Sequence, residues 1–484
     1  MNDPTYSHET FLASNRPFAR VVARPMARFL SIEAAGGILL LIATVVALVW
    51  ANSPWSESYF DLWSTPVGFT VGDFEIVEPL QAWVNDLGMA IFFFVVGLEI
   101  KRELTTGQLT DRRAAAFPAI AAVGGMVVPA LIYLAFNWGG EGADGWGIPM
   151  ATDIAFALGV VALLGSRVPS SLKVFLLTLA IVDDLGAIAV IAIFYTERLS
   201  VGWGVIALVL IGVVMISRRM NVWYIPVYVV IAAILWIAVF ESGVHATIAG
   251  VVLGLLAPTV ALRDGADSER IGEILSKDEP LGVGDVDEAT FAIRETVPVN
   301  DRLEHFLHPW TSYVIIPVFA LANAGIVLSS ESIERAASSP ITIGILLGLV
   351  VGKTIGVGGA ALLASKLGLT RLPRGVTGLH MVGISLAAGI GFTVSIFISG
   401  LAFGAGHGTE TAHGEEAGHG EEVAAVVGEE EAPEAEHSKE LQDDSKIGIL
   451  AASLLAAGLA AIILARAGNE EDIRDDSLRA GATH

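Results

Sequence analysis

Four ionisable side chains lie where lipid is expected. Asp183 and Asp184 are at the centre of LAIVDDLGAIAV, Asp153 is near the centre of IPMATDIAFAL, and Lys353 is inside VVGKTIGV. A charge at mid-bilayer costs about 2.5 to 3.5 kcal/mol on the insertion scale, so it persists mainly where it faces protein or water. An internal salt bridge is the ordinary explanation for one such ion. It does not cover this set, because a single lysine cannot neutralise three acids. Adjacent helical residues diverge by about 100°, so Asp183 and Asp184 cannot both face one partner squarely. One can pair with Lys353 while the other faces a water-filled cavity. A carboxylate there loses its uncompensated charge either by binding a proton or by binding a small hard cation through oxygen. If the loaded site reaches either side and the empty, charged site crosses poorly, one cation is traded for protons across the membrane. Neighbouring acids in such a site titrate as a coupled group.

The elements that must carry these residues follow from composition. The chain has 484 residues, 54% hydrophobic and 16% charged, against roughly 25% charged in a soluble domain. With about 20 apolar residues per spanning helix, the apolar runs predict an all-α polytopic membrane protein. Twelve transmembrane helices are expected near 34–51, 84–100, 114–136, 146–164, 172–196, 201–216, 222–240, 244–261, 309–329, 340–365, 376–403 and 447–465. Of 28 Lys and Arg, 23 fall in alternate polar segments and four (Arg198, Arg335, Lys439, Lys446) on the opposite side; the remaining one is Lys353. Positive loops stay in the cytoplasm, so both termini are expected there. Nothing before residue 30 has a cleavable signal's apolar core, so the first run is expected to be a retained helix. The net charge of −23 argues against nucleic acid as a partner. The absence of cysteine excludes thiol catalysis, disulfides and thiolate metal sites.

The resulting plan is a cytoplasmic segment 1–33, helices one to eight over 34–261, a cytoplasmic loop 262–308, helices nine to eleven over 309–403, an acidic His-containing outer loop 404–446, a twelfth helix 447–465 and a cytoplasmic tail 466–484. A short helix is expected around Ser268 to Ser276 in the mixed-charge loop. Residues 405–445 hold thirteen Asp or Glu and four His, three of them (His407, His413, His419) six apart. Such a tract can collect divalent ions, but a disordered acidic loop is the plainer reading. Residues 66–78 alternate apolar and polar about Gly72-Asp73, a β-hairpin signal. Gly147 and Pro149 precede Asp153, where Thr152 or Asp153 can cap a new half-helix, and Gly383, Gly389 and Gly391 interrupt the eleventh span. The fourth and eleventh spans run in opposite directions. Paired interrupted helices of opposite direction are how inverted-repeat transporters build a midplane site whose half-helix dipole ends need charged partners.

The motifs FFFVVGLEIKREL, ATDIAFALGVVALLGSRVPSSLKVF, LAIVDDLGAIAVIAIFYT, SGVHATIAGVVLGLLAP, LEHFLHPW, FALANAGI and GIGFTVSIFISGLAFG, in that order, resemble the NhaA-type sodium/proton antiporter family. The likeness covers about residues 30–262, 301–404 and, more weakly, 447–466. It implies two crossing broken helices, and it implies that Asp184 exchanges Na⁺ or Li⁺ for protons, with Asp183 beside it paired to Lys353. Asp153 and Thr152 match the crossing of the broken helices. Glu99, Arg102 and Glu103 match a cytoplasmic funnel cluster implicated in pH activation; Glu304, His305 and His308 match a second pH-responsive group, and His245 one on the outer side. The resemblance further implies electrogenic exchange in a bacterial inner membrane, no cofactor beyond the transported ions, and a homodimer contacting through the 66–78 hairpin. Here NDLGMA has Leu and Gly in the opposite order to the usual family pattern, and the two long insertions have no family counterpart.

Without the family, Glu99 to Glu103 reads as an interfacial ion-pair cluster, and His245 as a helix cap. Two alternatives from other classes remain: a sodium-coupled symporter of an organic anion on a related inverted-repeat fold, and a channel or cation sensor whose outer acidic tract binds metal. No nucleophile and base spacing of an enzyme appears in the spans.

Overall fold

Backbone in lipid has no water to bond with, so an apolar chain satisfies its own N–H and C=O groups as helix. The computed structural model describes residues 35–72, 74–196, 199–220, 222, 225–261, 282–369, 376–404 and 424–467. Chain order is α1 Ala35–Ala51, α2 Ser56–Ser64, the strands β1 Pro66–Val71 and β2 Phe74–Pro79, α3 Leu80–Thr105 and α4 Arg112–Asn137. Then come α5 Ile154–Leu163, α6 Ser170–Phe194, α7 Val201–Arg219, α8 Ile225–Glu241, α9 Thr247–Leu256, α10 Val283–Glu295, α11 Val299–Trp310 and α12 Ile316–Asn323. The last are α13 Ser330–Ser338, α14 Pro340–Lys366, α15 Gly378–Ala387, α16 Phe392–Phe403 and α17 Ala424–Arg466.

Seven of the described helical stretches are long and apolar enough to cross a membrane, and nine are reached if each sharply bent pair, α1 with α2 (113°) and α15 with α16 (47°), is one span. The spans expected at 222–240 and 244–261 fall on the shorter apolar helices α8 and α9. The one expected at 309–329 falls on α12 and the π-helical turn Thr311–Ile315 that joins it to the polar α11.

β1 and β2 form the expected hairpin, antiparallel with Pro66 opposite Pro79, and Gly72 takes the turn at φ +66°. The Trp83 indole donates to the Val67 carbonyl at 2.6 Å and its ring stacks on Trp236, whose ring stacks on Phe240. The hairpin is thereby seated on α3 and α8.

Two segments expected as loops contain packed helix. α17 begins at Ala424, so the twelfth helix takes in much of the 404–446 loop. Its residues Asp444, Ser445 and Lys446 are buried. Arg335 on α13 draws this extension in, bonding Glu440 at 2.7 Å and Asp444 at 3.1 Å, while the Thr342 hydroxyl donates to the Asp444 carbonyl at 2.8 Å. Acidic composition hid a helix two of whose acids, Glu440 and Asp444, are met by an arginine from another helix. In the other loop, α10 ends on Glu295, buried and bonded to Arg302 of α11 at 3.0 Å. The helix expected at Ser268–Ser276 and the triplet His407, His413, His419 lie outside the described residues.

The helix that carries Lys353 is unusual in its sequence. Gly344, Gly348, Gly352 and Gly356 recur every four residues along α14 and all face α4 or the chain that follows it. Their absent side chains would strike Asn137, Pro149, Pro129 and the Gly124 carbonyl, respectively. Small residues let membrane helices approach closely. A four-residue repeat drifts around a helix of 3.6 residues per turn, and the π-helical turns Gly348–Gly352 and Thr354–Gly359 slow that drift. Lys353 sits between those two turns.

At the tightest crossing a Cβ on Gly356 would lie 2.2 Å from the Gly124 carbonyl oxygen. Gly356→Leu should therefore separate α4 from α14 at a cost of about 1–3 kcal/mol, the usual range for overpacking. Thermal unfolding in detergent should show a lowered Tm, whereas Gly212→Leu, at an open position on α7, should leave it near the parent value.

Candidate functional site

The stretch expected as the fourth span is not one continuous α-helix. A 3₁₀ stretch, Ala143–Met150, ends in extended residues 151–153, and α5 starts at Ile154. The other break lies between α15 and α16, at residues 388–391, where the chain passes so close to its neighbours that a Cβ on Gly389 would lie 2.3 Å from the Leu349 carbonyl oxygen. The two breaks meet at Asp153. Its backbone N–H donates to the Ile390 carbonyl at 2.6 Å. Its Oδ1 accepts from the Phe156 N–H at 2.9 Å, capping α5, and its Oδ2 accepts from the Thr393 N–H at 3.0 Å and the Thr393 hydroxyl at 2.8 Å, capping α16. The first N–H groups of a helix lack internal partners and carry partial positive charge. One buried carboxylate thus serves two helix N-termini. A further bond joins the breaks, from the Ser395 hydroxyl to the Ile148 carbonyl at 2.6 Å.

Thr152 sits beside Asp153 and opens the charged centre. Lys353 Nζ lies 2.5 Å from Asp183 Oδ2 and 3.0 Å from Thr152 Oγ1, with the lysine and aspartate side chains fully buried. The Thr152 hydroxyl is within bonding distance of two acceptors, Asp183 Oδ2 at 2.7 Å and the Ala388 carbonyl at 2.8 Å. Its single proton serves one of them at a time. Through this hydroxyl the ammonium is linked to the C-terminal end of α15, where helix carbonyls carry partial negative charge.

Asp184 is turned away from that pair. It is 1% exposed, and its Oδ1 has no hydrogen-bond partner among the described residues. It lies within electrostatic reach of Asp183, Glu99, Asp153 and Lys353. The geometry settles the choice that helix periodicity left open: Asp183 faces the lysine, and Asp184 does not. A buried carboxylate with an unused acceptor and surplus negative charge around it is suited to taking up a proton or a cation through oxygen.

The remaining candidates fall into two other places. Arg102 on α3 makes an ion pair with Glu304 on α11 and lies 4.0 Å from Glu103, and Glu99 is within electrostatic reach of all three. His305 and His308 lie exposed on the same helix as Glu304. Burial holds the Glu304 carboxyl above the usual range, and the Arg102 guanidinium pulls it partly back. His245 is elsewhere: its Nε2 contacts the Tyr195 carbonyl just beyond the end of α6. Sequence reasoning missed Thr393 and Ser395, whose one local signal was two hydroxyls in the first turn after the glycine break in GFTVS.

Asp153→Ala should remove both caps, at about 0.5–2 kcal/mol each, and so lower Tm more than an ordinary cap replacement. Asp153→Asn keeps one oxygen acceptor and should fall between the two when thermal unfolding is compared.

A family model described as Na+/H+ antiporter 1 matches residues 27–428. A relative from Frankia alni, named Na(+)/H(+) antiporter NhaA 3, is 44% identical over 444 residues, 92% of this chain and 89% of that protein. Proteins named Na(+)/H(+) antiporter NhaA from Rhodopirellula baltica and Oleidesulfovibrio alaskensis are each 48% identical, over 79% and 82% of this chain and 88% and 90% of their own lengths. With three buried acids and one buried lysine already gathered in one place, this breadth of similarity places the chain in the Na+/H+ antiporter 1 family.

Proposed function

We propose that the protein is a secondary antiporter of the bacterial inner membrane that expels Na⁺, or Li⁺, in exchange for protons. It is a transporter and not an enzyme, as its family is, and it uses no cofactor beyond the transported ions. One observation carries the residue assignment: Lys353 is committed to Asp183, which leaves Asp184 as a buried carboxylate with a free acceptor. Asp184 holds Na⁺ or a proton, Asp183 and Lys353 form the adjoining charge pair, and Asp153 with Thr152 keeps the two half-helix breaks together around them. The surplus of acids over bases makes the empty site charged and poorly able to cross, which couples the two ions. More protons enter than sodium ions leave, so exchange is electrogenic.

The scaffold belongs to this reading: twelve spans in inverted repeats, both termini cytoplasmic, and a homodimer joined through the hairpin. Arg102, Glu103, Glu304 and Glu99 lie at the cytoplasmic funnel and, with His305 and His308, set the response to pH; His245 acts at the outer end. An organic anion symporter is the weaker reading, because the ammonium such an anion would need is already held by Asp183 and Thr152.

Asp184→Asn should abolish sodium-dependent dissipation of a pH gradient in everted vesicles, and retained exchange would reject the assignment. Lys353→Ala should weaken exchange or shift its pH dependence at normal expression. The Arg102 charge lowers a Glu304 carboxyl that burial raises. Removing it in Arg102→Ala lifts that carboxyl further, so Glu304 keeps its proton to higher pH. Activation that follows this deprotonation should move to more alkaline pH in a flux-against-pH series, and an unmoved or acid-shifted profile would exclude Glu304 from the response.

A further inference from the structure

Between α3 and α11, away from the Asp153 crossing, two helix faces meet in matching steps of four residues. Asn300 and Glu304 are four apart on α11; Leu98 and Arg102 are four apart on α3. Asn300 Nδ2 donates to the Leu98 carbonyl at 3.1 Å, and Glu304 pairs with Arg102. Each of these two side chains keeps one oxygen idle. Asn300 is fully buried, and its Oδ1 has no partner among the described residues; Glu304 Oε2 is likewise buried and unpartnered.

Buried polar atoms without partners are rare and need a reason. Residues i and i+4 share one helix face, and the Asn300 amide is held at the α3 interface by its own Nδ2, so both idle oxygens belong to the same seam. Glu99 follows Leu98 on α3 and is within electrostatic reach of Glu304, Glu103 and Arg102. Three carboxylates therefore surround one guanidinium, a surplus of negative charge with hard oxygen atoms to spare. That chemistry suits an alkali cation, which takes carboxylate and amide oxygens as ligands. An anion would meet acceptors, and a soft metal would find no sulfur or imidazole among these atoms. Glu99 also lies within electrostatic reach of Asp184, so the seam leads toward the centre of the protein.

We propose that Asn300 Oδ1 and Glu304 Oε2 form a second Na⁺ subsite on the cytoplasmic side of Asp184, where the ion pauses before reaching the exchange site, with the charge of Glu99 nearby adding to its attraction for cations. The subsite rests on the antiporter reading and specifies the path by which the ion enters. Asn300 has two separable jobs: its amide nitrogen bonds Leu98 and its amide oxygen binds the cation. Asn300→Asp loses the first and strengthens the second, whereas Asn300→Leu loses both.

The test uses the full-length protein with ²²Na⁺ as the probe. Purified Asp184→Asn should bind ²²Na⁺ weakly although it exchanges nothing, and adding Asn300→Leu should remove that binding. In everted vesicles of the otherwise unaltered protein, Asn300→Leu should raise KM for Na⁺ about tenfold, the factor that 1.4 kcal/mol represents, a larger change than its effect on maximal rate. Asn300→Asp should keep KM at or below the parent value. The subsite is overturned if Asp184→Asn binds no Na⁺ while the unaltered protein does, or if Asn300→Asp raises KM as Asn300→Leu does, which would leave only the bond to Leu98. Should Asn300→Leu fail to fold, the KM of Asn300→Asp decides alone. If the unaltered protein moves no protons in response to Na⁺, it is the antiporter reading that fails.

Discussion

One ammonium shared among three buried acids is the constraint around which this molecule is arranged. Lys353 makes a 2.5 Å contact with Asp183 and a 3.0 Å contact with Thr152, and nothing comparable reaches Asp184 among the described residues. Taking ions out of water is costly unless they are paired and hydrogen-bonded, so an acid that the lysine does not serve is costly to bury unless other groups meet it. Asp153 is met by the N–H groups of two half-helices and a threonine hydroxyl. Asp184 has neither a lysine nor helix N–H groups of this kind among the described residues, and its Oδ1, like Asp183 Oδ1, is left without a partner there. An interior that satisfied all three acids would be a stable salt-bridge network with no affinity left for a travelling ion.

Holding that inequality in place falls to backbone packing rather than to charge. The glycines of α14 and Gly124 of α4 let two backbones come within a distance that no side chain tolerates, which carries Lys353 into the interior. Two wide π turns on either side of it keep the glycine stripe toward α4. The broken helices supply the complementary part. Their breaks provide free helix ends in the interior, and these ends are what allow a carboxylate such as Asp153 to be buried without a cationic partner. Charge and architecture are thus interdependent at the crossing.

The two insertions show how additions to such a scaffold are kept compatible with it. The extension of α17 brings a strongly acidic stretch against the bundle, but Arg335 and backbone contacts take up the acids nearest the spans. In the other insertion, α10 ends in a buried bond to Arg302, two residues from Glu304. The insertion is therefore attached to the same short helix that carries Glu304. Its attachment leaves the face bearing Asn300 and Glu304 directed at α3.

Much of this was legible in the residues themselves. Apolar runs located the helices, because lipid offers the backbone no alternative; the alternation about Gly72 marked the hairpin; and charges stranded in apolar context marked the site, because burial of an ion needs compensation wherever the chain goes. Three things were not legible. Helical periodicity stated that Asp183 and Asp184 diverge but not which one meets Lys353, since that depends on how α6 and α14 are rotated against each other. The double cap on Asp153 joins residues 240 positions apart, and no local pattern reports a partner at that distance. The helical state of 436–446 was hidden because local composition records charge and is blind to the arginine that neutralises it from another helix. By itself the sequence determined which residues could not be left in lipid; tertiary structure decided which of them stay unpaired, because pairing depends on the distance and rotation between helices that only packing sets.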